Sequence, residues 1–203
     1  MSNTSEDISD KKPQHFVLYK PFGYLSQFMS NSKDERKKHF LGELHYFPKK
    51  TMAIGRLDEK SEGLLLLTTD GKLSAHITGR GIEKEYYAQV NGDITDEAIE
   101  QMQQGVEIGF NGQKYITKPC VVTKLVDNPD FPERSRKIRD DRHGPTSWVS
   151  ITLTEGKFRQ VRKMTSAAGY PTLRLVRVRI GSLLLGDLQV GEVKELSQDF
   201  FNI

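Results

Sequence analysis

Leu64-Leu65-Leu66-Leu67 follows Glu62-Gly63 without a polar residue to interrupt it. A short apolar run of this kind, bounded by turn residues, reads as a buried strand, here over Leu64 to Thr68. The stretch Gly55-Arg56-Leu57-Asp58 just ahead of it is then a short loop feeding that strand, with Asp58 held at the loop's edge beside a guanidinium. An Arg and an Asp two apart form an ordinary solvated pair in most proteins, so the meaning of this pair depends on what else the chain carries.

The first dozen residues, rich in Ser, Asn, Asp and Lys, show no apolar periodicity and are expected to form a mobile tail, 1–12, ahead of one domain over 13–203. Phe16-Val17-Leu18 predicts a strand ended by Pro21 and Gly23. Lys33 to Lys38 is charge-rich and reads as a short helix or loop. Asp70-Gly71 turns the chain into a short helix from about Lys72 to Ile77, and Tyr86 to Val90 alternates as a strand. Ile99, Met102 and Val106 recur at near-helical spacing, with Thr95 as N-cap and Gly105 as stop. Asn111-Gly112 lies between short β-type runs as a hairpin turn, and Cys120 to Val126 is a further strand. Trp148 to Leu153 alternates as a half-buried strand. Lys157 to Ala168 reads as a helix ended by Gly169 and Pro171, and Leu173 to Ile180 as a strand with one apolar and one basic face. Strands dominate without regular strand-helix alternation, so the class is α+β with a mixed, largely antiparallel sheet.

A chain of 203 residues, 36% hydrophobic and 28% charged, can bury a proper core. No run approaches the roughly 18 to 20 apolar residues that span a bilayer, and Met1 to Lys12 has no apolar signal segment, so a cytoplasmic location off the membrane is expected. The lone Cys120 lies among valines and reads as a structural thiol, while the five histidines and the carboxylates show no metal-ligand spacing. A net charge of +3 says little, but its distribution says more. Arg134, Arg136, Lys137, Arg139, Arg142 and His143 form one basic cluster, and Lys157, Arg159, Arg162, Lys163, Arg174, Arg177 and Arg179 a second, which together favour a polyanion. The connection from Asp127 to Thr146, which carries the first cluster, is too long for a plain link.

Taken in order, Lys20-Pro21-Phe22-Gly23-Tyr24-Leu25-Ser26-Gln27, the Gly55 to Asp58 stretch, Lys84-Glu85-Tyr86-Tyr87-Ala88-Gln89-Val90 and Glu155-Gly156-Lys157-Phe158-Arg159-Gln160-Val161-Arg162-Lys163-Met164 resemble the pseudouridine synthases, in the branch that acts on bacterial ribosomal RNA. Pro145-Thr146-Ser147-Trp148 and Gly169-Tyr170-Pro171-Thr172-Leu173-Arg174-Leu175 extend the likeness over nearly the whole domain. The resemblance implies that family's catalytic fold, two subdomains flanking an active-site cleft; because it starts close to Met1, no separate N-terminal RNA-binding domain is expected, and a monomer is expected. It implies isomerisation of uridine to pseudouridine in 23S ribosomal RNA, at one uridine of domain V near the peptidyl-transferase centre, on free RNA or an assembly intermediate. The bond from N1 to the ribose is broken and one from C5 is made, which requires no cofactor and no metal.

The same resemblance makes Asp58 the reacting carboxylate, either a nucleophile or a base that removes a sugar proton. Burial disfavours the charge of a carboxylate, so a cation has to stand close, and Arg162 matches the family's basic partner. On a helix advancing about 100° per residue, Arg162 lies about 40° from Phe158 and borders an apolar face of Phe158, Val161 and Thr165, with Lys163 turned to solvent. Tyr86 matches the active-site tyrosine, its ring stacking on the target uracil, and Tyr87 points to the opposite face of its strand. Arg56 is expected to fill the gap left by the flipped nucleotide. Lys20, Gly23, Gln27 and Leu57 are expected to shape the cleft, and Arg134, Arg136, Lys137, Arg139, Arg159 and Lys163 to hold RNA phosphates. Three other readings stay open: the same chemistry on 16S or transfer RNA, a non-catalytic RNA-binding or assembly protein, and a nucleosidase with Glu62 or Glu59 as a second carboxylate.

Overall fold

The computed structural model describes residues 12–30, 37–79, 81–139 and 141–200. The tail ahead of Lys12 and most of the Lys33 to Lys38 segment lie outside them. In chain order the elements are β1 (His15–Lys20), β2 (Tyr24–Leu25), β3 (His39–Phe40), β4 (Met52–Ile54), β5 (Glu62–Thr68), α1 (Gly71–Gly79), β6 (Lys84–Asn91) and α2 (Asp96–Gln104). They continue with β7 (Glu107–Phe110), β8 (Gln113–Ile116), β9 (Val121–Lys124), β10 (Thr146–Leu153), α3 (Gln160–Ala167), β11 (Thr172–Ile180), β12 (Leu183–Leu184) and β13 (Val193–Leu196). Local signals placed many of these: Thr95 Oγ1 accepts from Ala98 N as the α2 cap, Gly105 ends that helix at φ 108°, and Asn111-Gly112 turns β7 into β8.

Nine strands form one sheet in the order β13-β1-β5-β11-β6-β10-β9, with β4 beside β5 and β12 beside β11. Within it the neighbours run antiparallel except β5 and β11, which are parallel, so the sheet is mixed and largely antiparallel, as the strand-rich pattern implied.

The four leucines of β5 fit because this strand is covered on both faces. Leu64 and Leu66 enter a core with Val17, Tyr19, Ile54, Ile77 and Val176, and Leu65 and Leu67 enter another with Phe16, Leu18 and Leu41. Successive side chains alternate faces, so an unbroken apolar run is stable only where both are packed. A third core, with Val90, Met102, Ile151 and Met164, lies in the other half of the sheet. The halves meet at the parallel β5-β11 seam. Gly63 has φ 100° there, and a Cβ on it would stand 2.3 Å from the Arg177 carbonyl oxygen, so only glycine lets the two backbones approach.

Two expectations are corrected. First, α3 starts at Gln160 rather than Lys157, because Arg159 has left-handed backbone, φ 54°. Phe158 is therefore outside the helix and exposed, and the helix's apolar face is made by Val161, Met164 and Thr165. Second, the arginines of β11 do not make a basic surface: Arg174 and Arg177 are 6% and 2% exposed. Irregularities in the β11-β6 register at Thr172/Arg174 and Arg177/Arg179 break the simple alternation, and both cations turn to groups of β5.

The long connection between β9 and β10 is tied across the sheet. Its Phe131 packs on Tyr87 and Trp148, with ring centroids 6.1 and 5.7 Å away. The Pro132 carbonyl accepts from Arg174 at 2.8 Å, and the Arg134 guanidinium lies 4.4 Å over the Phe22 ring. This strap thus reaches from one half of the sheet to the turn that follows β1.

Candidate active site

The loop between β4 and β5 is clamped before it reaches the cleft. Leu57 is buried, and Ser26 Oγ both accepts from its amide (3.0 Å) and donates to its carbonyl (2.8 Å). Asp58 follows in a tight turn: its Oδ1 accepts from Lys60 N (2.9 Å), its Oδ2 from Ser61 Oγ (2.9 Å), and its carbonyl from Ser61 N (3.0 Å). From α3, Arg162 Nε reaches the same Oδ2 at 3.3 Å, while its Nη2 donates to Lys60 O (2.9 Å) and Ser61 Oγ (3.2 Å). The ion pair predicted across 104 residues is therefore formed, with side chains 16% and 10% exposed. Burial holds the Arg162 guanidinium below its usual pKa, and Asp58 pulls it back up.

Asp58 opens on a cleft of about 490 Å³, a size usual for ligand sites. Arg56, Leu57, Gln27, Tyr86, Phe158 and Arg159 share its lining. Tyr86 comes from β6, with the Arg177 guanidinium 5.9 Å from its ring centroid, and Tyr87 faces the other way onto Phe131. Lys20 does not line the cleft. It is fully buried and donates to Pro21 O (2.8 Å) and Tyr24 O (2.7 Å), fixing the turn in which Gly23, at φ 89°, donates to Glu59 O. Burial pushes its ammonium down to about 7, with Asp58 and Glu62 pulling it back up.

The remaining basic residues separate into two groups. Arg136 and Lys137 are exposed on the strap. Arg139 instead turns onto carbonyls of its own loop, His143 O (2.6 Å) and Pro145 O (3.0 Å). Arg134 donates to Arg136 O and Leu173 O; burial lowers its pKa, with Glu62 raising it and Arg174 and Arg162 lowering it. Lys163 reaches Gly109 O at 2.6 Å, toward the β7-β8 hairpin and outside the cleft lining. Glu62, once a possible second carboxylate, is buried with both oxygens bound by Arg174, and Glu59 pairs with Lys38. Among the described residues no group of three His, Cys, Asp or Glu could hold a metal.

Sequence reasoning missed Ser26 as the clamp of Leu57, Ser61 as the second ligand of Asp58, and Phe158 as a cleft residue. The spacing Asp58-x-x-Ser61, an aspartate with a hydroxyl three residues on, is a turn signal that could have found the second.

The family described as RNA pseudouridylate synthase matches residues 14–167. The chain is 40% identical to ribosomal large subunit pseudouridine synthase E of Vibrio parahaemolyticus over 94% of its own length and 76% of that protein. It is also 40% identical to the protein of the same name from Xanthomonas campestris, over 87% of this chain and 91% of that one. A crystal structure of a pseudouridylate synthase superposes with a TM-score of 0.73 at 27% identity, covering 94% of this chain and 73% of the other. An aspartate and an arginine paired at one cleft, on a mixed sheet shared with such a structure and in a chain so close to these relatives, leave one conclusion: this chain belongs to the RNA pseudouridylate synthase family.

Proposed function

We propose that the chain isomerises one uridine of large-subunit ribosomal RNA to pseudouridine, in the cytoplasm, with Asp58 as the reacting carboxylate. The observation that carries this reading is the Asp58-Arg162 pair, joined from opposite halves of the sheet and opening on a cleft lined by Tyr86 and Arg56. In the reaction the N1 to C1′ bond breaks, a C5 to C1′ bond forms, and the C5 proton is lost while N1 gains one. Asp58 attacks the nucleoside or removes a sugar proton, and Arg162 supplies its counter-ion. The hydroxyl and amide of residues 60 and 61 hold the carboxylate in one orientation, which keeps the reacting atoms aligned. Tyr86 stacks on the flipped uracil, and Arg56 occupies the place it left in the RNA, offsetting part of the few kcal/mol that flipping costs. Arg136 and Lys137 on the strap hold phosphates.

The names of the relatives support a large-subunit substrate, and the motif likeness supports a uridine in domain V of 23S RNA; in this reading the enzyme acts as a monomer, on free RNA or an assembly intermediate. Purified protein incubated with protein-free 23S transcript, followed by digestion and chromatography, tests this. New pseudouridine at one domain V position, formed without ATP or added metal, is expected. Released uracil would mean a nucleosidase, unchanged RNA a binding protein, and pseudouridine only in transfer or 16S RNA a wrong substrate.

A further inference from the structure

Phe158 has no partner in the Asp58-Arg162 pair and no place in a core. It lines the cleft with Tyr86 and Asp58, yet it is 67% exposed and belongs to none of the three cores. Folding does not call for an apolar ring there, since α3 is already buried through Val161, Met164 and Thr165. The turn that presents it is nonetheless firmly held. Glu155 accepts from Tyr115 Oη, Lys118 N and Gln160 Nε2 at 2.5, 2.9 and 2.6 Å, and Gln160 Oε1 accepts from Lys157 N at 2.9 Å. Immediately after it, Arg159 adopts the left-handed backbone that non-glycine residues avoid, which ends the turn and delays the helix.

The surroundings of the ring are cationic. Lys163 Nζ lies 5.3 Å from its centroid, and Arg159 and Arg56 share the same cleft. A water-exposed ring on a hydrogen-bonded turn, with one ammonium beside it and two arginines in the same cleft, suits a nucleobase, whose face packs on the ring while its phosphate meets the charges. Tyr86 is half-buried on β6 and Phe158 stands exposed in the turn before α3, so the two rings differ in depth. The inner one meets a base that has left the stack, and the outer one meets a base that remains outside.

We propose that Phe158 is a second stacking platform, which takes the nucleobase next to the uridine that enters the cleft and so contributes to the choice of sequence context. This rests on the reading of the cleft as a pseudouridine synthase site. Phe158→Trp provides a direct probe, because the chain's own Trp148 is buried. Titrated with a transcript of domain V of 23S RNA, the variant's indole emission is expected to be quenched, with no matching change in the wild type. Phe158→Ala is expected to raise the enzyme concentration for half-maximal single turnover about tenfold, more than it lowers the rate at saturation, and Trp is expected to restore it. Both variants should keep the wild-type thermal midpoint, since the ring is outside the cores. An active wild type with no indole quench, or an alanine variant with unchanged half-saturation, overturns the platform. Quenching in a protein that forms no pseudouridine would support the platform and refute the reaction assigned to the cleft.

Discussion

Two arginine-carboxylate pairs have their carboxylates four residues apart, on one loop and the strand it feeds, and they are built differently. The side chains of Glu62 and Arg174 are 2% and 7% exposed; both carboxylate oxygens accept from the guanidinium, at 2.8 and 3.1 Å, and its Nη2 also donates to Pro132 O. Asp58 and Arg162 share a single contact at 3.3 Å, and the rest of each group is spent on the turn at residues 60 and 61. The first pair is closed: it joins β5 to β11 and the strap, and both of its carboxylate oxygens are buried and bound. The second is open at the cleft. The same two charge types therefore serve as a fastener in one place and as a poised group in the other, and access rather than residue type separates them.

The comparison breaks most decisively at Asp58. Asp58→Asn keeps the volume and is expected to lower turnover by at least about 10²-fold while RNA affinity and thermal midpoint stay near wild type. A fall of less than about tenfold, ~1.4 kcal/mol of barrier, would mean that another group reacts. Glu62→Gln should do the reverse. It strands the buried Arg174 charge and is expected to cost about 3 to 5 kcal/mol of stability in a denaturant titration, with the activity per folded molecule largely kept. Equal losses of activity in both variants would mean that the two pairs serve the same role.

Arg162→Met is expected to lower turnover by more than about tenfold, since the open carboxylate loses its counter-ion and the turn loses two donors. A nearly normal rate would show that the pair is ornamental to the chemistry. On the strap, the outward Arg136 and Lys137 contrast with the inward Arg139. Changing the first two to Ala should weaken RNA binding and flatten the plot of log affinity against log salt by about one to two units of slope, while Arg139→Ala should leave the slope nearly as it was. Equal slopes in both variants would place the phosphate contacts elsewhere.

A further contrast concerns Lys20, which is buried without a carboxylate bonded to it. Its folded pKa is pushed down to about 7 against 10.5 for a free side chain, so between these values the unfolded chain holds more protons. Stability should therefore rise with pH across that window, and the rise is lost as pH falls toward 7. Denaturant titrations of wild type and Lys20→Met at several pH values isolate it: the wild type should gain on the variant from pH 7 to about 10. A constant difference would mean that burial leaves the ammonium's proton affinity unchanged.

Much of this molecule was legible before folding because its signals are local. A cap at Thr95, a turn at Asn111-Gly112 and an unbroken leucine run act within a few residues, and they set elements that the sheet then arranges. The ordered motifs identified Asp58, Arg56, Tyr86 and Arg162, all of which converge on the cleft or its ion pair. What sequence alone could not assign was the direction in which like residues turn. Arg174 and Arg177 looked like a basic face until β11 took its place between β5 and β6, where irregular register and the groups of β5 draw them inward. Phe158 looked like helix core until the left-handed Arg159 delayed the helix. Lys20 and Lys163 are the same residue type, yet one is sealed beneath a turn and the other reaches a hairpin carbonyl. Side-chain identity and short-range periodicity thus determined the elements and the chemistry available to them. Contacts between residues far apart in the chain decided which charges are buried, which are paired and which face the cleft, because the cost of desolvating a charge depends on neighbours that only the folded sheet supplies.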